Sequence, residues 1–258
     1  SYSSSLGVYP LNIAVGGTMH VETGSLVDVS GMGYQAKVEW QYEVWPLGEN
    51  DVSKAGCYGG VRNGASGDCG YGDYRIAQFA GSSGHYYTSS LAGGGGVLSI
   101  LANTLVLDGA LKANGLLGYY HGGAGGSIHL DVDTLSGAGV LQSNGGEHYT
   151  TGAAGAGGRV SIYSNNRLGF SGQFEVHSGI SSTHVSGAGT VYLRDNGSEE
   201  HLVVDNGGQI ALSSSTLIRS VGRHTMTAVE FVGNVEGNDL WRITVSGNPW
   251  LSTDLDLA

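Results

Sequence analysis

The sequence predicts an all-β fold: a parallel β-helix (solenoid) with a long loop-rich insertion and a small C-terminal β appendage. Three observations carry this prediction. A unit recurs, as GGGVLSILANTLVLDGALKANG, AGGSIHLDVDTLSGAGVLQSNGG and GAGGRVSIYSNNRLGFSGQFEVHSG. Each copy has a glycine run, then an alternating apolar pair: Leu98 and Ile100, Ile128 and Leu130, Val160 and Ile162. A second anchor follows (Leu105, Leu135, Leu168), then a third (Leu111, Leu141, Phe174). A fourth copy opens at Val191 and Leu193, and successive starts are 30, 32 and 31 residues apart. Next, no stretch has apolar residues at helical spacing for long enough to form a helix. Finally, the breaks (Asp108-Gly109, Asn114-Gly115, Gly137-Ala138-Gly139, Asn144-Gly145) are turn chemistry, since Gly and Asn tolerate positive φ.

Alternation such as Ile128-His129-Leu130 or Val191-Tyr192-Leu193 puts every second side chain on one face. The expected unit is three short strands with tight turns, its strands pairing in parallel with those of the next unit. Leu105, Leu135 and Leu168 are expected to form an interior column. Asn114 and Asn144 are expected to stack at a turn and share amide hydrogen bonds. HVETGSLVDVSGMG fits the third-anchor pattern, with Val27 and Val29 in the places of Leu111 and Ala113. An antiparallel sandwich or barrel also supplies short strands and turns, but requires no period near 31 residues.

The expected organisation is an N-terminal strand (Leu11, Ile13, Val15) with a first coil over 1–31. An insertion over 32–92 breaks the period, regular coils run over 93–212, and a β appendage or cap covers 213–258. LVVDNGGQIAL reads as a last strand, a turn and another strand. The insertion is expected to lie over an end or side of the solenoid, its Trp40 and Trp45 covering apolar core. The start, SYSSSLGVYPLNIAV, lacks a basic n-region and reads as a mature or excised end. The end, STDLDLA, has no terminating element, so the natural polypeptide is expected to continue.

Composition narrows the function. Glycine supplies 47 of 258 residues, but 40% are apolar and 14 are Tyr, so this is not a disordered linker. A formal charge of −11 repels phosphate backbones and argues against a nucleic-acid role. No apolar run approaches the length of a membrane-spanning helix. Cys57 and Cys69 flank a glycine-rich loop and read as a disulfide, worth about 3 kcal/mol in the chain-entropy model. Free thiols are the alternative; a zinc site is a weak one, because no His lies nearby at ligand spacing. A disulfide implies an oxidising compartment.

The strings GGAGGSIHLDVDTLSGAGVLQSNGG, GAGGRVSIY, GAGTVYLRDNG and LVVDNGG resemble the glycine-rich repeat regions of very large secreted or surface-anchored, adhesin-like bacterial proteins. LIRSVGRHTMTAV with WRITVSGNPW resembles the segment that follows such coils. The likeness covers most of residues 20–250, less so the insertion. It implies a right-handed β-helix, an extracellular or cell-surface location, a structural or adhesive role, and no catalytic residues. The partners expected are other copies, neighbouring domains of a larger surface protein, or glycans.

Three inter-coil loops carry aromatic and His clusters: His85-Tyr86-Tyr87, Tyr119-Tyr120-His121 and Glu147-His148-Tyr149. They start 13, 9 and 13 residues before the next apolar pair, so they leave the solenoid near one edge. Stacked, they form a candidate ligand or partner edge, since Tyr and His suit sugar rings. The bland alternative is that the rings pack on neighbouring loops. Asp131 and Asp133 share the outer face of a strand and are weak Ca²⁺ or acid/base candidates. Such carboxylates would serve the alternative function, a carbohydrate-binding or polysaccharide-cleaving β-helix. The repeat places Leu101 and Asn103, then Tyr163 and Asn165, beside them, which favours a solvated face and no bound cofactor. Arg159 and His129 are expected at the surface. No catalytic or phosphate-binding motif occurs, and no helix follows the glycine strings to make them phosphate loops.

Overall fold

The computed structural model describes residues 8–35, 53–62, 69–86, 90–149, 152–181, 184–197, 199–211, 216, 218, 225–235 and 238–246. Among them the chain forms strands and no helix. The strands are β1 (Leu11–Val21), β2 (Leu26–Asp28), β3 (Ser53–Lys54), β4 (Gly84–Tyr86), β5 (Ser90–Ala92), β6 (Val97–Leu107), β7 (Ala110–Lys112) and β8 (Ser127–Gly137). They continue as β9 (Val140–Gln142), β10 (Arg159–Phe170), β11 (Gln173–Glu175), β12 (Thr190–Asp195), β13 (Glu199–Val203), β14 (Thr225–Val235) and β15 (Asn238–Ser246). An eight-stranded sheet has the order β1-β6-β8-β10-β12-β13-β15-β14, and a four-stranded sheet the order β11-β9-β7-β2. A small third sheet is β3-β4-β5.

The repeats pair in register. Leu98 lies opposite Ile128, Ile128 opposite Val160, and Val160 opposite Val191, all in parallel strands. Leu11 of β1 joins this column beside Leu98, although 87 residues separate them. In the second sheet Val27, Leu111, Leu141 and Phe174 form an equivalent column. Inward side chains from both sheets make one apolar cluster, in which Leu98, Ile100, Leu105, Leu111, Ile128, Leu135 and Leu141 are fully buried. Removing this much aliphatic surface from water is the main apolar driving force for the pairing.

The first three repeats each supply two strands, one long and one short, rather than the three expected, and the fourth supplies β12 alone to the parallel stack. Between the strands the glycine runs form a hydrogen-bonded lattice of extended segments. In Gly122–Ser127, successive N–H groups turn to different neighbours. Gly122 and Gly125 donate to Ala153 and Ala156 of the next repeat (3.1 and 2.9 Å). Gly123 and Gly126 donate to Leu116 and Ala113 of the same repeat (3.0 and 2.7 Å). Ala124 donates to Ser82 of the insertion (2.8 Å), and Ser127 to Gly96 of the preceding repeat (2.9 Å). One repeat later the pattern returns: Ala154 and Gly157 donate to His184 and Gly187, Gly155 and Gly158 to Gly146 and Ser143, and Ala156 to Gly56.

A donor direction that recurs every third residue is the geometry of a polyproline-II-type extended chain, whose polar groups all radiate outward. Water normally takes those groups; here neighbouring segments do, which meets the requirement that buried amides be paired. Close approach on every side leaves room for a hydrogen atom only. A Cβ on Gly125 would overlap the carbonyl of Ser143, and one on Gly155 the carbonyl of Gly123. Ala124, Ala154 and Ala156 mark the directions in which a methyl group fits, and all are fully buried.

An Asn ladder runs beside the lattice. The Asn114 side-chain oxygen accepts from the Asn144 backbone N–H (2.8 Å), and that of Asn144 from the His177 N–H (2.9 Å). The bonds are therefore side chain to backbone, not the amide-to-amide sharing expected. Ser30 starts the ladder, its hydroxyl accepting from the Asn114 N–H (3.0 Å).

Two further expectations need correction. Leu168 is 99% exposed and does not extend the Leu105–Leu135 column. The β10–β8 register shifts between Asn166 and Gly169, and this extra residue turns Leu168 away from the core. Phe170 and Phe174, with ring centroids 5.6 Å apart, pack on the core there instead. LVVDNGGQIAL also differs: β13 runs antiparallel to β12, and no strand forms over 204–211. Gly207 and Gly208 both adopt positive φ (61° and 77°), and the Asn206 side chain holds the Ser178 N–H (2.8 Å), so the chain turns into the Asn ladder. Trp40 and Trp45 lie outside the described residues.

Two substitutions separate these roles. Gly155→Val is expected to cost about 3 kcal/mol or more in denaturant unfolding, through overpacking against backbone. Leu168→Ser is expected to leave the midpoint unchanged, while Leu135→Ala costs about 3 kcal/mol.

Candidate functional site: an aromatic loop edge beside a docked insertion

The described part of the insertion that carries Tyr58 and Tyr71–Phe79 lies over the outer face of the eight-stranded sheet. Its anchor is Arg159, which is fully buried and not at the surface as its exposed-strand position implied. The guanidinium donates to the Thr190 hydroxyl (2.9 Å) and to the Tyr71 and Gly72 carbonyls (3.1 and 3.3 Å), and lies 5.3 Å from the Tyr58 ring centroid. Thr190 belongs to the sheet; Tyr58, Tyr71 and Gly72 belong to the insertion. One planar cation thus ties the two layers together.

Hydroxyls on the sheet extend the contact. Ser127 Oγ donates to the Phe79 carbonyl (2.6 Å) and bonds Tyr58 OH (2.7 Å), while Ser161 Oγ accepts from the Ala77 N–H (3.0 Å). The Cys57–Cys69 disulfide, with Cα atoms 5.8 Å apart, ties the segment that carries Tyr58 to the one that carries Tyr71. The Tyr58 and Tyr71 rings lie 4.8 Å apart and burial pushes both phenols up.

At the margin of this contact lies an aromatic and charged cluster that the sequence did not reveal. Tyr74 and Arg75 of the insertion meet His129, Tyr163, Tyr192 and Arg194 of successive strands. Tyr192 packs edge-on against Tyr74 (5.7 Å) and tilted against Tyr163 (5.7 Å), and Tyr163 edge-on against His129 (5.6 Å). Burial pushes the Tyr74 phenol up to about 12, despite the opposing charge of Arg75. Burial and the Glu200 carboxylate push Tyr192 higher still. His129 is not the lone exposed residue expected: its Nδ1 bonds Ser161 Oγ (2.8 Å), and burial lowers its pKa against the pull of Asp131. Counting the 31-residue columns would align His129, Ser161 and Tyr192, but nothing local marks the insertion residues that meet them.

The loop edge lies elsewhere on the repeat. Gly118 and His148 form a parallel bridge, and the Tyr149 N–H donates to the Gly118 and Tyr119 carbonyls (3.3 Å each). Tyr119 and Tyr149 therefore sit one level apart, 55% and 73% exposed. Tyr120 packs edge-on against Tyr119 (4.8 Å). Leu116, Leu117 and Ile180 are also exposed along this edge. His121 is occupied structurally, Nδ1 accepting from the Ala153 N–H (3.1 Å), and His148 Nε2 bonds Ser181 Oγ (2.9 Å). Of the third cluster, His85 and Tyr86 lie in β4, whose Gly84 touches the His121–Gly122 backbone. The side chains of His85 and Tyr86, and all of Tyr87, lie outside the described structure.

Asp131 and Asp133 are exposed on the sheet's outer face, and Asp133 accepts from the Asn165 amide (2.9 Å). No group of three or more His, Cys, Asp or Glu side chains gathers at one point among the described residues. No helix there is long and apolar enough to cross a membrane. Chemically, the loop edge offers apolar ring faces and hydroxyl tips side by side on a rigid backbone. Compared with protein-family models, curated proteins and solved structures, the chain matches none.

The burial of His129 sets a pH dependence. With its folded pKa lowered, the unfolded state binds a proton that the native state refuses, so stability falls as pH drops from about 7 toward 5. Asp195 is a carboxylate instead: burial raises its pKa, but hydrogen bonds from Arg167 and Ser164 outweigh this and hold it low. Its contribution is lost only at more acidic pH, as pH falls through the folded pKa. Urea midpoints measured from pH 7 to 5 should therefore decline in the native protein, with a shallower slope in His129→Gln. Arg159→Met should expose residues 69–80 to limited proteolysis and lower stability by about 2 kcal/mol, the worth of a charged hydrogen-bond set.

Proposed function

We propose that this chain is a right-handed parallel β-helix working as a structural and adhesive module of an extracellular bacterial surface assembly. The observation that carries the reading is the parallel stacking of successive repeats, from β1 to β12 in the large sheet, from β2 to β11 in the small one, and in the glycine lattice. Such a body is locked along its length by backbone bonds and suits mechanical use. Right-handedness follows from the strong preference of parallel crossover connections. The disulfide supports an oxidising, extracellular setting.

Adhesion is assigned to the Tyr119–Tyr149 edge, and the ligand class is a neutral glycan. Exposed Tyr rings one repeat apart offer stacking faces for successive sugars, with hydroxyls for their polar rims. A net charge of −11 disfavours acidic polymers as partners.

The test is binding of the intact protein to an array of neutral and acidic polysaccharides, alongside Tyr119→Ser/Tyr149→Ser. The expected result is retention on neutral glycans, weakened at least tenfold in the double variant with its melting transition unchanged. Equal binding by both proteins, or no glycan bound, would overturn the adhesive assignment.

A further inference from the structure

The two ends of the stack are built differently. At the far end the eight-stranded sheet runs four strands past the level of β11, through β12 and the antiparallel β13, β15 and β14. At about 4.8 Å per strand this is a step of roughly 19 Å between the two sheets among the described residues, which does not suit a coaxial copy. At the near end β1 and β2 are level, and among the described residues neither has a partner on its outer edge.

The β1 edge carries neither charge nor proline, and its one departure from a regular edge is a shift of register against β6 between Val15 and Thr18. LNIAVGGTMHV contains no Lys, Arg, Asp, Glu or Pro over eleven residues, where natural edges place charges or proline. Its inward residues Ile13, Val15 and Met19, with Val27 of β2, are only partly buried, so among the described residues the apolar columns end without a covering layer. Leu26 and Met32 beside them are 55% and 62% exposed.

The strand is also self-complementary. Turned about its midpoint, Gly16, it sets Leu11 against Val21 and Ile13 against Met19 on the inner face, with the Gly16-Gly17 break in register at the centre. Outside, Asn12 meets His20 and Ala14 meets Thr18, so no like charges oppose. A Cβ on Gly16 or Gly17 would meet nothing within 4 Å, which leaves the midpoint open to the close approach of another backbone.

We infer that the occupant of this edge is a second copy of the chain, paired head to head by antiparallel β1–β1 contact about a twofold axis at Gly16. The interface is isologous and therefore closed on itself. The inference rests on strand order and edge chemistry and is independent of the adhesive reading.

Light scattering on the intact protein over a concentration series tests it. The expected mass is twice the 26.5 kDa of the chain. Gly16→Lys sets two ammonium groups opposite each other at the axis, in a position with free space in the single chain, and should give the single-chain mass with an unchanged melting curve. Gly16→Cys should give a covalent dimer on oxidation. A single-chain mass at about 100 μM, a concentration that populates any dimer of micromolar Kd, an open-ended series of masses, a Gly16→Lys protein that stays dimeric, or a dimer that Gly16→Cys fails to cross-link would each overturn the inference. A failure of glycan binding would leave it standing.

Discussion

Backbone amides of the glycine segments, donating in three directions to neighbouring segments, are the interaction on which the rest of this protein depends. Sheet pairing alone joins each repeat to those on either side. The lattice also joins a repeat to its own returning chain and to the insertion, through donors such as Gly123 to Leu116 and Ala156 to Gly56. Each bond contributes little net free energy, on the order of 1 kcal/mol, but leaving such a group buried and unpaired costs more. Glycine is costly to order, by roughly 0.5–1 kcal/mol per residue relative to Ala. Its use at Gly125 and Gly155 is forced by backbone carbonyls that occupy the space of a Cβ.

This explains how a loop-rich insertion becomes part of the core. Gly56 and Gly60 donate to Gly122 and Gly157, so the insertion joins the lattice as another layer before its side chains are considered. Arg159 and the hydroxyls of Ser127 and Ser161 then fix where that layer sits on the sheet. The same backbone registration carries the loop edge: Gly118 and His148 align because the repeats beneath them align, and Tyr119 and Tyr149 inherit that alignment.

Much of the sheet register was legible. A period near 31 residues with matched apolar pairs placed Leu98, Ile128, Val160 and Val191 in one column, and Val27 beside Leu111, because inward-facing residues of parallel strands must repeat together. The pairing of Cys57 with Cys69 was legible from their isolation in a short loop. Leu168 was misread because a single extra residue in β10 reverses facing, and spacing alone does not show a bulge. Arg159 was misread because its surroundings come from residues about 90 positions earlier, such as Tyr71. The glycine runs were given no structure of their own because hydropathy has no period where there is no side chain. Their order lies in the direction of amides, a three-residue pattern that composition cannot display.

Hydrogen exchange resolved to single amides tests the central claim most directly. If the glycine segments are a hydrogen-bonded core, the amides of Gly122–Gly126 and Ala154–Gly158 will be protected as strongly as those of β6 and β8, and will open only with global unfolding. Rapid exchange there, alongside protected strands, would show that the glycine segments are ordinary solvated loops and would contradict the account.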